Sequence, residues 1–384
     1  MKILYDHQIF GTQKYGGISR YFFQLIKHLH NTKATYELSL KYSKNAYILN
    51  DPGFSVKEDI KTDGLFGYKF RGSARLLDIL GRLSIVNNPR VDNVNNTIDR
   101  LKSSDFDIFH PTAYGDYFSP HLKRPFVLTV YDMIHEVFLD NPLERSYKDL
   151  IARKKALINM ASHIIAISEN TKRDIIRMCN VDAGKVTVIY LANSLESAKT
   201  EEIDLPVPDN YILFVGDRHA YKNFEFFVTS IGSLLKKNTD LFLVCAGSKN
   251  FTPKEISVFE KLNITSQVIY FPFIDDNVLI NLYRRAICFV FPTLYEGFGI
   301  PVLEAFACDC PAVISNTSSL PEVAGDAGMY FDPEDTSSIF ESIEKVIHGP
   351  EIRKEMINKG RDRLKNFSWD KCARETVSVY EGVL

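Results

Sequence analysis

Short apolar runs alternate along this chain with longer segments in which apolar residues recur every three or four positions. The short runs have the β-branched and aromatic content of buried strands, and the longer ones have the periodicity of amphipathic helices. The pattern predicts strands at 2–5, 38–42, 107–110, 125–131, 163–168 and 186–191, with helices at 19–29, 141–160 and 170–179. Between 192 and 210 it lapses. Asn193-Ser194-Leu195-Glu196-Ser197 is largely polar and Leu205-Pro206-Val207-Pro208 is punctuated by proline, as in a linker between domains. A second series then predicts strands at 211–216, 241–245, 268–271, 287–291, 312–315 and 328–331, and helices at 223–236, 253–262, 276–285 and 337–347. Strand–helix alternation of this kind predicts an α/β protein with parallel sheets. A chain of 384 residues exceeds a comfortable single core, so two doubly wound domains are expected.

One stretch concentrates the candidate chemistry. The strand Ile287-Cys288-Phe289-Val290-Phe291 is ended by Pro292, Glu296-Gly297-Phe298-Gly299 forms a turn, and Pro301 stands where the first turn of a helix tolerates proline. Strand, glycine turn and helix start together present unpaired backbone N–H groups and a positive dipole end to an anion. Glu296 in the turn and Glu304 one turn into the helix would repel phosphate, so they fit the hydroxyl groups beside it. The alternative is a local structural role for both glutamates.

These two glutamates, seven residues apart with Gly-Phe-Gly after the first, resemble the signature of glycosyltransferase family 4. The resemblance implies a GT-B fold, with two Rossmann-like domains facing across a cleft and a linker between them. It divides the chain into an acceptor domain, 1–192, and a nucleotide-sugar donor domain, 193–369, with the last helix, 370–384, packing back on the first domain. It implies a retaining hexosyl transfer from a nucleoside-diphosphate sugar to a hydroxyl of a glycan or lipid-linked glycan, as in cell-surface polysaccharide assembly. No metal or other cofactor is expected. Two other functions stay open: a nucleotide-sugar epimerase or hydrolase of the same fold, and a noncatalytic member that only binds nucleotide sugar.

Further segments extend the resemblance. Gly216-Asp217-Arg218-His219-Ala220-Tyr221-Lys222-Asn223 is similar to the family's phosphate-gripping segment, which implies that Lys222 and Arg218 neutralise the departing diphosphate. Arg218 is displaced by one residue from the usual pattern. Gly216, Gly297, Phe298, Gly299 and Glu304 are then expected on the donor, with Glu304 on the ribose and Glu296 on the sugar. Gly16-Gly17, after the first strand, resembles the family's cleft-facing glycine loop, which implies that both lie near the donor phosphates and the acceptor and bind the donor; Ser19 is a candidate cap for the helix that follows. On the acceptor side, Tyr131 takes the place of a family histidine, Asp132 matches the pattern, and His135 is the nearest histidine. The backbone of Phe271-Pro272-Phe273-Ile274 is expected near the nucleobase.

Composition narrows the partners. A net charge of −2 gives no global reason to bind nucleic acid. No apolar run approaches the length of a membrane span, and six cysteines without paired metal spacing fit a reducing, cytoplasmic setting. The basic, amphipathic stretch 69–83 admits two readings, a packed helix or a helix resting on anionic lipid at the inner membrane face; Gly81 and the modest basicity favour packing. Donor base, donor sugar, acceptor and oligomeric state are not legible.

Overall fold

In the computed structural model, residues 1–59, 88–138, 147–195, 201–247, 249–272 and 275–384 are described. The amphipathic stretch 69–83, the start of the helix expected from 141 and the pair Phe273-Ile274 lie outside them.

The chain divides into two units. The first comprises residues 1–167, 171–189 and 369–384, and the second comprises 168–170 and 190–368. In the first unit, β1 (Lys2–Tyr5) leads through a glycine loop to α1 (Gly17–His28) and β2 (Thr35–Leu38). A small parallel pair, β3 (Tyr42–Ser43) and β4 (Lys57–Glu58), stands apart from the main strands. Then follow α2 (Pro89–Ser103), β5 (Ile108–His110), β6 (Val127–Val130), α3 (Lys148–Met160), β7 (His163–Ala166), α4 (Glu169–Cys179), whose first two residues count with the second unit, and β8 (Val186–Val188). Strands β2-β1-β5 and β6-β7-β8 form two parallel sheets, and a single bridge between Phe109 and Phe126 places them in one run.

The second unit runs β9 (Tyr211–Val215), α5 (Phe224–Lys237), β10 (Phe242–Gly247), α6 (Pro253–Lys261), β11 (Val268–Pro272), α7 (Asp276–Arg285), β12 (Cys288–Phe291) and α8 (Ile300–Ala307). It continues with β13 (Ala312–Ser315), α9 (Leu320–Ala324), β14 (Met329–Phe331), α10 (Thr336–His348) and α11 (Pro350–Leu364). Its six strands are all parallel in the order β11-β10-β9-β12-β13-β14. The sequence of strands therefore reverses beside β9, between β9 and β12. Such a switch point is where open α/β sheets bind ligands, beyond the carboxyl ends of the strands. The first unit reverses in the same way between β1 and β5.

Burial explains the elements. In α1, Tyr21, Phe22, Leu25 and Ile26 share one buried face, as the 3.6-residue period requires. Strands β9 and β12 are apolar on both faces because helices cover both sides of the sheet. The last helix, α12 (Trp369–Val383), buries Trp369, Cys372, Ala373, Thr376, Val377 and Tyr380. The Tyr380 hydroxyl reaches Tyr5 Oη at 2.8 Å and His110 Nδ1 at 2.6 Å, which ties this helix to β1 and β5 of its own unit.

Several expectations are corrected. The second strand is Thr35–Leu38, not 38–42, because an edge strand with one solvated side lacks a continuous apolar run. α1 begins at Gly17 with Gly16 before it, so Ser19 is not its cap. Ser19 is buried inside the first turn and its hydroxyl donates to the Gly16 carbonyl at 3.0 Å. Helices α2 and α11 carry too weak an apolar stripe to be read in advance; α11 buries only Met356 and Gly360. Asp309, at the end of α8, adopts φ +56° and pairs with Arg361 through two contacts of 2.7 Å.

Candidate donor and acceptor sites

The carboxyl ends of β9 and β12 carry the second unit's candidate residues. Beyond β9, Gly216 has φ +120°, a conformation that favours glycine. Gly247, at the end of β10, abuts it: a Cβ at 247 would stand 2.8 Å from the Gly216 carbonyl oxygen. The chain then turns through 217–222 and is pinned to the turn after β12. The Tyr221 carbonyl accepts from Leu294 N at 2.8 Å and from the buried Thr293 hydroxyl at 3.1 Å.

This pinning brings Lys222 to Glu296. Their Nζ and Oε1 atoms are 2.6 Å apart, and the side chains are 15% and 12% exposed. Lys222 Nζ also lies 4.9 Å from the centre of the Phe291 ring, so the ammonium sits on an apolar floor with an aromatic face beneath it. Glu296 is itself held at both backbone ends: its N–H donates to Ser318 Oγ and its carbonyl accepts from Ser319 Oγ, each at 2.9 Å. Gly299, at φ +94°, opens α8, and a Cβ there would come within 2.6 Å of Leu320. Pro301 occupies the first turn as expected.

Glu304 is buried on α8, with Tyr283 Oη 3.3 Å from its Oε2. Burial and the neighbouring Glu304 charge hold the Tyr283 hydroxyl protonated far above the usual phenol range, so it is a donor to that carboxylate. Phe298 points inward, its ring packed against Tyr190 and Phe367 with centroids 6.0 Å from each. Any ligand contact at 298 is therefore made by its backbone.

Arg218 is placed differently from Lys222. Its Nε meets Glu255 Oε1 at 2.6 Å, Nη2 donates to the carbonyls of Lys249 and Asn250 at 2.8 Å each, and Phe224 and Phe251 flank the guanidinium. Both charged side chains are about as buried as core residues, 5% and 6% exposed. Glu255 also completes the capping box of α6 with Thr252. Arg218 is thus built into the packing between α5 and α6.

In the first unit, a side chain at Gly16 would collide with Gln13, whereas Gly17 has open space around it. Tyr131 is turned into the core against Tyr21, Phe22 and Tyr114, with its hydroxyl toward the Thr112 carbonyl at 3.4 Å. Asp132 Oδ1 accepts Ile134 N at 3.1 Å and so caps the local turn. The His135 ring stacks on Tyr147 at 4.0 Å.

The comparisons with known proteins also fall into two parts along the chain. Residues 15–195 match the family described as Glycosyltransferase Family 4, and residues 196–363 match the one described as Glycosyl transferases group 1. The chain belongs to glycosyltransferase family 4. It is 28% identical to O-antigen chain mannosyltransferase B of Escherichia coli, across 95% of this chain and 96% of that protein. An O-antigen chain mannosyltransferase of Salmonella typhimurium is 27% identical over 60% of this chain and 63% of its own. Among solved structures, sucrose-phosphate synthase of Thermosynechococcus elongatus superposes with a TM-score of 0.75 at 17% identity, covering 100% of this chain and 98% of the other. Anabaena HepE, in complex with UDP and glucose, gives 0.72 at 16% identity, with 99% of each chain covered. The fold is GT-B, two Rossmann-like units.

Two buried, hydrogen-bonded polar residues, one after β1 and one on α3, escaped the reading of the sequence. Asp6, fully buried after β1, accepts from Thr112 N, the Thr112 hydroxyl, Gln8 and Tyr117, and Gln8 in turn holds the loop at Gly115. The signal available was its position, a polar residue immediately after the first strand. Lys154, 2% exposed, donates to the Asp132 carbonyl at 3.0 Å and to Glu136 at 2.8 Å. Nothing in its helical context distinguishes it from a solvated lysine. All six cysteines are buried and unpaired, and burial raises their thiols, Cys288 to about 12. Among the described residues, no helix is long and apolar enough to cross a membrane.

Proposed function

We propose that this family 4 glycosyltransferase moves a hexosyl unit, with retention and without a metal, from a nucleoside-diphosphate sugar to a hydroxyl of a glycan or lipid-linked glycan in cell-surface polysaccharide assembly. The observation that carries the reading is the Lys222–Glu296 pair, set at the sheet's switch point beside the start of α8 with Glu304 one turn further. The lysine and the helix start suit a diphosphate; the two carboxylates suit sugar and ribose hydroxyls. The relatives named as O-antigen mannosyltransferases support the polysaccharide class and make mannose the first sugar to test. The bond from the anomeric carbon to the diphosphate oxygen breaks as the bond to the acceptor oxygen forms on the same face. The acceptor proton passes to the leaving phosphate, whose charge Lys222 offsets. Peripheral contact with the inner membrane face would bring a lipid-linked acceptor within reach. Thermal-shift and calorimetric screening with UDP, GDP and ADP, then their sugars in the presence of EDTA, tests the reading; NMR of the product reads the anomeric configuration. Absence of binding by every diphosphate refutes it.

A further inference from the structure

The chain passes between its two units after Ile167, Asn170, Ile189 and Ser368. Within the second unit, the residues beside these passages converge on the loop assigned to the donor. The Glu322 carboxylate, on α9, accepts from Glu169 N at 2.8 Å and Asn170 N at 3.0 Å, the first two residues of α4, and from the Tyr190 hydroxyl at 3.3 Å. A carboxylate that accepts two N–H groups at a helix start is a charge-assisted cap, strengthened by the helix dipole. The Tyr190 ring packs on Phe298 and on Phe367, at 6.0 Å and 5.8 Å, and Phe298 closes the triangle with Phe367 at 6.0 Å. Arg363 donates to the Glu322 and Val323 carbonyls and lies over the Phe367 ring. Just before α9, Ser318 and Ser319 hold the two backbone ends of Glu296. One continuous path of contacts thus runs from Glu296 through Ser318, Ser319 and α9 to residues 169, 170 and 190, and a second runs from Phe298 to residues 190 and 367.

We propose that Glu322 and Phe298 are positioning residues that couple donor occupancy to these passages. A nucleoside diphosphate on residues 296–299 fixes the loop, the loop fixes α9, and α9 tightens the grip of Glu322 on the start of α4. The stiffness of the connections between the units then depends on whether the donor is bound. The proposal rests on the donor reading given above.

Hydrogen exchange at the amides of Glu169 and Asn170 in the full chain, with and without saturating UDP or GDP, reads the coupling, and calorimetry on the same samples reads binding. In the wild type the bound diphosphate slows both amides by about fivefold or more, the lower end of ordinary coupling between sites. In Glu322→Ala the bound diphosphate no longer slows either amide. Because coupling is reciprocal, that variant binds the diphosphate more weakly by the factor seen in wild-type exchange. A cap with no coupling role would speed exchange but leave affinity unchanged. Tyr190→Phe, which keeps the ring packing, gives an intermediate result and serves if Glu322→Ala does not fold. Bound diphosphate with unchanged wild-type exchange, or variants with wild-type affinity, overturns the coupling alone. A wild-type chain that binds no diphosphate retires the donor reading and the coupling together.

Discussion

Lys222 Nζ meets Glu296 Oε1 at 2.6 Å, although the two residues are 74 positions apart in sequence. The pairing is set by backbone, since Leu294 N and the Thr293 hydroxyl both bind the Tyr221 carbonyl next to the lysine. A lysine held against a carboxylate over the Phe291 ring is oriented before any anion arrives, which is the preorganisation that stabilises charge as it develops.

If Lys222 offsets the charge of the leaving diphosphate as proposed, Lys222→Ala should lower turnover by about 10²–10³-fold, with a smaller change in donor affinity. Steady-state kinetics with the donor varied is the check. A rise in KM with kcat unchanged would contradict the role.

Glu304→Ala should weaken nucleoside diphosphate binding by about 1.5–3 kcal/mol, the range for hydrogen bonds to a charged group. Calorimetry with the diphosphate reads this directly. Tyr283→Phe, which removes the donor at 3.3 Å but leaves the carboxylate, should cost less. Equal affinity of wild type and Glu304→Ala would remove Glu304 from the ribose.

The difference between Lys222 and Arg218 shows what a sequence carries and what it does not. Strand β12, the turn and α8 were legible because their signals are local: an apolar run, glycines and Pro301. The pairing of Arg218 was not, since its partner Glu255 lies 37 positions away on another element. Likewise Lys154 became visible only when folding set it against Asp132 and Glu136. Edge strand β2 and the polar helix α11 lacked the continuous run or stripe that marks a buried element.

The buried Arg218–Glu255 pair makes a prediction about stability. Arg218→Ala leaves an uncompensated buried carboxylate and should cost about 3–5 kcal/mol, whereas Arg218→Met combined with Glu255→Leu should recover much of that loss. Denaturant unfolding of the two variants, followed by donor kinetics on the double variant, tests this. If the double variant is as stable as wild type yet inactive, Arg218 acts on the donor after all.

Gly247→Ala should impair the site through the backbone. The added Cβ would lie 2.8 Å from the Gly216 carbonyl, and Gly216 already sits at φ +120°, so the strand end must shift. A loss of about 1–3 kcal/mol is expected, of the size found when such a conformation is disturbed. Diphosphate affinity should fall with it, measured beside the melting temperature; an unaltered melt and affinity would show that the strand ends tolerate the change.

His110 makes the first unit sensitive to acid. It is fully buried between Tyr380 at 2.6 Å and Thr129 at 2.9 Å, and burial pushes its pKa down from 6.5 to about 3. The folded protein keeps this imidazole neutral while the unfolded chain takes up a proton below pH about 6.5. Above that pH the group exerts no pH-dependent effect. As pH falls toward 3, the unfolded state gains about 1.4 kcal/mol per unit, so about 2 kcal/mol of stability is lost by pH ~5. Unfolding of the first unit, followed at several pH values between 7 and 5, should show this slope, and His110→Gln should flatten it. An unchanged slope in that variant would assign the acid sensitivity to other groups.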